Sequence, residues 1–188
     1  MGRQAYHEIT DTENPQGVVA LCEMPREVDL DGLAAAGGVI VATDYLQDPG
    51  NLGTIVRTAT WFGVQGLLLG KGTVDLFNPK VVRSTAGTTG TLPFANVDLE
   101  VTLSSFEETG WQVLLLDASE GAKNLRDITP PSKTIVVIGN EANGVDPVLF
   151  GGGARKKVEI SSPTPVQQVE SLNASVALSI ALYALTGK

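Results

Sequence analysis

TIVVIGN (134–140) decides the fold, because from Ile135 to Ile138 it is apolar and β-branched without a polar interruption. A strand with one wet face alternates polar and apolar residues, whereas an unbroken run marks a strand covered on both faces. WQVLLLD (111–117) has the same character, and VIVATD (39–44) and GLLLG (66–70) are shorter versions of it. Segments with helical spacing separate these strands. In NLGTIVRTATWF (51–62), Leu52, Ile55, Val56, Ala59 and Phe62 recur at the helical period, and Gly63 is a natural stop. PKVVRSTA (79–86) places Pro79 in a first helical turn, and LEVTLSSFEETG (99–110) reads as a helix ended by Gly110. SLNASVALSIALYAL (171–185) reads as a long helix with no interior Gly or Pro. PFANV (93–97), KKVEIS (156–161) and GVVALCEMP (17–25) are expected short strands, and DPVLF (146–150) a short helix before the glycines 151–153. Strands alternating with helices predict an α/β fold, a mainly parallel sheet with helices on both faces. Ligands of such sheets sit beyond the carboxyl ends of the strands. Chemistry is therefore expected in the loops after residues 43, 117, 139 and 160.

Scarce residues exclude whole classes of function. One His (His7) and one Cys (Cys22) among 188 residues cannot build a His/Cys zinc site, and no metal is expected. A Ser-His-Asp triad or Cys-His pair would have to recruit His7 from the polar stretch 1–16, which reads as a tail or linker. No apolar run approaches the ~18 residues of a membrane span. The single Cys is compatible with a reducing cytosol. With 13 Lys and Arg against 21 Asp and Glu, the net charge of −8 weighs against non-specific nucleic-acid binding. GLLLGKGT (66–73) invites a phosphate-loop reading, but only three residues separate Gly66 from Gly70, and Gly72 stands where Ser or Thr should ligate magnesium. A tight strand exit is the plainer reading.

Three polar constellations lie at the expected sheet edge. In the first, Asn51 stands at the mouth of a helix, where it can act as N-cap or as a functional amide, and Arg57 is a lone cation on an otherwise apolar helix, solvated or functional. In the second, IVVIGNEANGV (135–145), Glu141 follows a buried strand and is bracketed by Gly139 and Gly144. Glu141 can cap a neighbouring helix or face a ligand, Gly139 suggests close backbone approach, and Asn140 or Asn143 can tolerate positive φ. In the third, Ser171 and Asn173 stand at the start of the last helix, with Ser171 a candidate N-cap. Leu172, Val176, Ile180 and Tyr183 form an apolar stripe on that helix, suited to core or subunit contact.

Taken together and in this order, the three constellations resemble the motifs of the SpoU (TrmH-like) branch of the SPOUT RNA methyltransferases. DPGNLGTIVRTATWFGV resembles the first motif, IVVIGNEANGV the second and VESLNASVALSIALY the third, while KVVRSTAGTTGTLPFANV (80–97) resembles the segment between the first two. The similarity covers roughly 39–185. It departs from the family pattern after Ile160, where the usual Ile-Pro-Met gives way to SSPTPVQQVE.

The resemblance implies a C-terminal trefoil knot, a homodimer, and S-adenosylmethionine as methyl donor bound in the knotted loops. Carried over position by position, it implies Asn51, Arg57, Glu141, Ser171 and Asn173 as the catalytic set and Gly139, Ile160 and Leu172 as donor-binding positions. The implied reaction methylates a ribose 2′-hydroxyl of structured RNA, ribosomal or transfer, in the cytoplasm. The alternative is a knotted RNA-binding module that has lost catalysis. Residues 31–188 would form the catalytic domain and 1–30 a tail or linker, since PQGVVAL (15–21) resembles the junction after a small RNA-binding domain in longer members. The acidic balance then implies a weak local grip on RNA, through Arg57, Arg83 and Arg155-Lys156-Lys157.

Overall fold

The computed structural model describes residues 18–151, 155–162 and 171–187. The tail 1–16 with His7, the glycines 152–153 and most of the departing loop (163–170) lie outside the described residues. In chain order the elements are α1 (Leu30–Ala36), β1 (Gly38–Thr43), α2 (Pro49–Trp61), β2 (Gly66–Leu69), α3 (Pro79–Ser84), β3 (Phe94–Asn96), α4 (Leu99–Glu108), β4 (Gln112–Leu116), β5 (Lys123–Asn124), β6 (Lys133–Ile138), β7 (Lys156–Glu159) and α5 (Ala174–Thr186). Short 3₁₀ turns follow β5 (Leu125–Asp127) and β6 (Pro147–Gly151).

The strands form one seven-stranded sheet in the order β3-β2-β1-β6-β4-β7-β5. Every pairing is parallel, and β1 and β6 register along their full lengths from Gly38↔Lys133 to Thr43↔Ile138. Late strands enter between early ones: β6 inserts between β1 and β4, then β7 between β4 and β5. The connection from β7 to α5, on which the knot implied by the resemblance depends, runs through 163–170, outside the described residues.

The central strands are apolar because both faces are covered. Val39 and Val41 of β1, Leu114 of β4 and Val136 of β6 pack on one side with Leu52, Ile55 and Val56 of α2 and Leu178 and Leu182 of α5. The intervening Ile40, Val113, Leu115, Ile135 and Val137 pack on the other side with Leu33 of α1 and Leu103 and Phe106 of α4. Trp111, fully buried, donates its indole N–H to the Ala34 carbonyl at 3.0 Å and so fixes α1 to the start of β4.

Several local expectations need correction. No strand forms over 18–25, which is irregular. α1 and β5 are elements the hydrophobic pattern does not signal, being respectively one short alanine-rich stretch and a two-residue pairing of Lys123-Asn124 with β7. The short helix expected over 146–150 is instead a 3₁₀ turn, Pro147–Gly151. The apolar stripe Leu172, Val176, Ile180 and Tyr183 is exposed, whereas Leu178, Ala181, Leu182 and Leu185 bury the helix. The loop after β2 is the tight exit expected of GLLLGKGT, closed by Thr73 N–H on the Gly70 carbonyl at 3.2 Å.

Helices α2 and α3 meet at Gly53. A Cβ there would collide with Ser84 Cβ and stand 2.8 Å from the Val81 carbonyl oxygen, so the two backbones approach as closely as glycine allows. Gly53→Ala should therefore destabilise the fold by about 1–3 kcal/mol, the usual cost of overpacking. Urea denaturation checks this, and an alanine variant as stable as the parent would refute the close approach.

Candidate active site

β1 and β6 run side by side and end together, so the loops that leave them share one edge of the sheet. The loop after β1 leads directly into α2. Asp48 caps that helix, accepting the Asn51 N–H at 2.7 Å, with Pro49 in the first turn. Asn51 is thus not the cap its position suggested. Asp48 fills that role and leaves the Asn51 amide, 8% exposed, free to work sideways.

The Asn51 amide joins the three motifs. Its Nδ2 donates to Glu141 Oε1 at 3.0 Å, and its Oδ1 accepts from Asn173 Nδ2 at 3.0 Å. Glu141 Oε1 also accepts the Asp48 N–H at 3.4 Å. Asn173 is the N-cap of α5: its Oδ1 accepts from the Ser175 and Val176 N–H groups and from Ser175 Oγ. Ser171 is therefore not the N-cap, and it sits exposed in the irregular segment before the helix. Arg57, on the same helix as Asn51, is exposed and makes no hydrogen bond or ion pair among the described residues.

The loop bearing Glu141 is held rigidly. Asn140 exchanges backbone hydrogen bonds with Gly144, its Oδ1 accepts the Ala142 and Asn143 N–H groups, and its Nδ2 donates to the Tyr45 carbonyl at 2.9 Å. Gly139 allows close approach as expected, but what approaches is the chain's own loop: a Cβ there would strike the Gly144 backbone and the Val145 nitrogen. Gly144 takes the left-handed conformation (φ 71°) that Asn140 and Asn143 were expected to tolerate.

A second tether, Asp44, has no motif signal beyond its place at the end of a strand. Asp44 is 4% exposed, and its Oδ2 accepts the Asp146 N–H at 2.8 Å, tying the end of β1 to the far side of the Glu141 loop. Burial raises its carboxyl above the ordinary aspartate range, the Asp146 N–H opposes that shift, and the Asp146 charge adds to it.

Gly139, Ile160 and Leu172 lie respectively after β6, after β7 and before α5. Gly139 brings backbone without a side chain, Ile160 is a half-buried apolar residue at the core's margin, and Leu172 is apolar and exposed. Backbone N–H groups and apolar side chains of this kind are the chemistry that a flat heterocycle such as adenine takes. Among the described residues no three His, Cys, Asp or Glu side chains cluster as a metal site.

The cations expected to grip RNA divide. Arg155 is internal, its side chain 2% exposed: it pairs with Glu107 at 3.1 Å and donates to the Leu149 carbonyl and Ser104 Oγ. It fastens the 3₁₀ turn to α4 and is unavailable to phosphate. Lys157 donates to Ser119 Oγ and lies 4.4 Å from the Phe150 ring centroid. Arg57, Arg83 and Lys156 remain exposed.

The raised Asp44 carboxyl has a pH signature. Above the ordinary aspartate value of about 3.9, the unfolded chain has released a proton that the fold still holds, so this residue's contribution falls as pH rises through that window. Asp44→Asn, which keeps an acceptor for the Asp146 N–H, should gain stability relative to the parent on going from pH 4 to pH 7.5. Urea denaturation at the two pH values measures the difference, and a pH-independent difference would refute the upward shift.

A family model, the SpoU rRNA methylase family, matches residues 38–183. The 23S rRNA (guanosine(2553)-2′-O)-methyltransferase RlmP of Bacillus subtilis is 35% identical over 188 residues, covering 100% of this chain and 71% of that protein. An AdoMet-bound rRNA methyltransferase from Sinorhizobium meliloti superposes with a TM-score of 0.76 at 30% identity, over 85% of this chain and 60% of that one. The SpoU methyltransferase AviRb from Streptomyces viridochromogenes, in complex with AdoMet, superposes with a TM-score of 0.75 at 27% identity, over 87% of this chain and 62% of that one. The chain spans about half the length of other relatives, 48% for an uncharacterized tRNA/rRNA methyltransferase of Mycobacterium bovis. With sequence, sheet and converging motifs in agreement, the chain belongs to the SpoU rRNA methylase family, the TrmH-like branch of the S-adenosylmethionine-dependent RNA methyltransferases.

Proposed function

We propose that residues 31–188 are a catalytic domain that methylates a ribose 2′-hydroxyl of structured ribosomal or transfer RNA. The supporting observation is the hydrogen-bonded chain Asn173–Asn51–Glu141, with Arg57 on the same helix as Asn51 and without a partner among the described residues. S-adenosylmethionine, when bound, supplies an electrophilic methyl on a sulfonium sulfur, so the protein needs neither metal nor covalent intermediate. Its task is to hold an oxygen nucleophile in line and let its proton leave as the O–C bond forms.

Arg57 suits the positioning part of that task. A guanidinium stays charged near neutral pH, its pKa exceeding about 12, so it is a poor base but a strong phosphate clamp. On α2 it stands six residues beyond Asn51, whose amide is pinned by Glu141 and Asn173. Arg57 is exposed on that helix and makes no hydrogen bond or ion pair among the described residues, so its charge is open to a phosphate. Gly139, Ile160 and Leu172 would bind the donor, and Ser171 would shape the loop before α5.

The protein would act as a cytoplasmic homodimer. The outward face of α5 carries the exposed Leu172, Val176, Ile180 and Tyr183, the last 70% exposed and edge-to-face with Phe62 at the end of α2. Trp61, beside Phe62 in the sequence, is exposed too, and an exposed apolar strip of this kind suits a subunit contact. Among the described residues no helix is long and apolar enough to cross a membrane.

Tritiated methyl transfer to unmodified ribosomal and transfer RNA, followed by nucleoside analysis, should yield 2′-O-methyl nucleosides. Arg57→Ala and Arg57→Lys should each reduce single-turnover rates by about a hundredfold, since lysine keeps the charge but loses the bidentate fork. Donor affinity by calorimetry should be unchanged. Methylated bases alone would overturn the ribose assignment, and a lysine variant with parental turnover would overturn the clamp. A parent chain that binds RNA without transferring methyl would support the inactive-module reading.

A further inference from the structure

The residue that follows Asp44 is out of character for its conformation. Tyr45 has φ 50°, in the left-handed region that a bulky side chain rarely occupies. Glycine or asparagine adopts that region more readily, and a strained residue at a site's edge points to a role for its side chain. The surroundings impose the conformation from both sides: Tyr45 N–H donates to the Lys71 carbonyl at 3.3 Å, and the Tyr45 carbonyl accepts from Asn140 Nδ2 at 2.9 Å.

Nothing in the core requires the ring. Tyr45 is 38% exposed, and its hydroxyl has no hydrogen-bond partner among the described residues. One part of the ring is seated on Gly72, itself left-handed (φ 76°), where any Cβ would collide with Tyr45 Cδ1. The absence of a side chain at Gly72 thus makes room for the ring, and the residue stays partly exposed. Lys71, the residue before Gly72, is exposed beside it. The Tyr45 backbone, by contrast, is tied to the Glu141 loop: Asn140, which holds its carbonyl, precedes Glu141, and Glu141 accepts the Asp48 N–H three residues after Tyr45.

We propose that Tyr45, seated on Gly72, is a stacking platform for a nucleobase of the substrate RNA, with Lys71 placed for an adjoining phosphate. Fixed, exposed aromatic rings are how proteins hold unstacked RNA bases. The platform is for RNA and not for the donor's adenine because of its place in the sheet. Tyr45 and Gly72 follow β1 and β2, on one side of β6, whereas Ile160 follows β7, two strands beyond β6 on the other side. This rests on the RNA methyltransferase reading.

The test uses the full chain, unmodified ribosomal RNA transcripts in filter binding, and calorimetry with S-adenosylmethionine. Tyr45→Gly should weaken RNA binding on the order of tenfold, the effect of losing one stacked base. Its thermal unfolding midpoint should equal or exceed the parent's, because glycine relieves the left-handed strain. Tyr45→Phe should restore RNA affinity to within about twofold of the parent, since it keeps the ring. RNA affinity of the glycine variant within twofold of the parent overturns the proposal, as does a parallel loss of donor affinity or a parent chain that binds no transcript. A parent chain that transfers no methyl but whose RNA affinity depends on the ring would sink the catalytic reading and leave the platform standing.

Discussion

The two hydrogen bonds made by the Asn51 side chain join segments that lie 90 and 122 residues away in the sequence. Each is an ordinary bond of 3.0 Å, and a typical one contributes only about 0.5–1.5 kcal/mol net, more where one partner is charged. Their weight comes from position. Asn51 is nearly buried, so losing either partner would leave a desolvated amide group unsatisfied. The start of α2, the loop after β6 and the start of α5 are therefore set relative to one another by one side chain. The parallel sheet makes this possible, because adjacent parallel strands deliver their carboxyl ends to the same edge.

Charge is distributed to match. The chain carries a net charge of −8, and Arg155, one of its few basic residues, is committed to Glu107 and to carbonyls inside the fold. A buried, multiply bonded arginine holds a turn in place and adds nothing to the cationic surface. Arg57, without a partner among the described residues, is the exception on α2. Acidity and RNA chemistry are compatible under that division. On the proposed function, local groups would orient one nucleotide, with broad phosphate attraction playing little part.

Much of the fold was legible in the strands, because burial on both faces writes itself as unbroken apolar runs such as Ile135–Ile138. Elements whose formation depends on neighbours were not legible. β5 is two polar residues that become a strand only by pairing with β7, and α1 is defined by its Asp29 cap and by Trp111 reaching Ala34. The site was half legible. The motifs singled out Asn51, Arg57, Glu141, Ser171 and Asn173, and Asn51, Glu141 and Asn173 do join. Cap assignment failed at Asn51 and Ser171 because several cap-forming residues precede each helix, and only three-dimensional geometry selects Asp48 and Asn173. Asp44 and Tyr45 carry no sequence signal: one matters through burial and the other through a backbone angle.

The central claim is that Asn51 and Glu141 act as one unit in presenting the site. A double-mutant cycle on the methyl-transfer kcat/KM, using Asn51→Ala, Glu141→Ala and the double variant, tests this most directly. The geometry predicts strong non-additivity, a coupling of about 1 kcal/mol or more with the double variant little worse than either single one. Effects that add within about 0.3 kcal/mol would mean the two side chains work independently and would contradict the account.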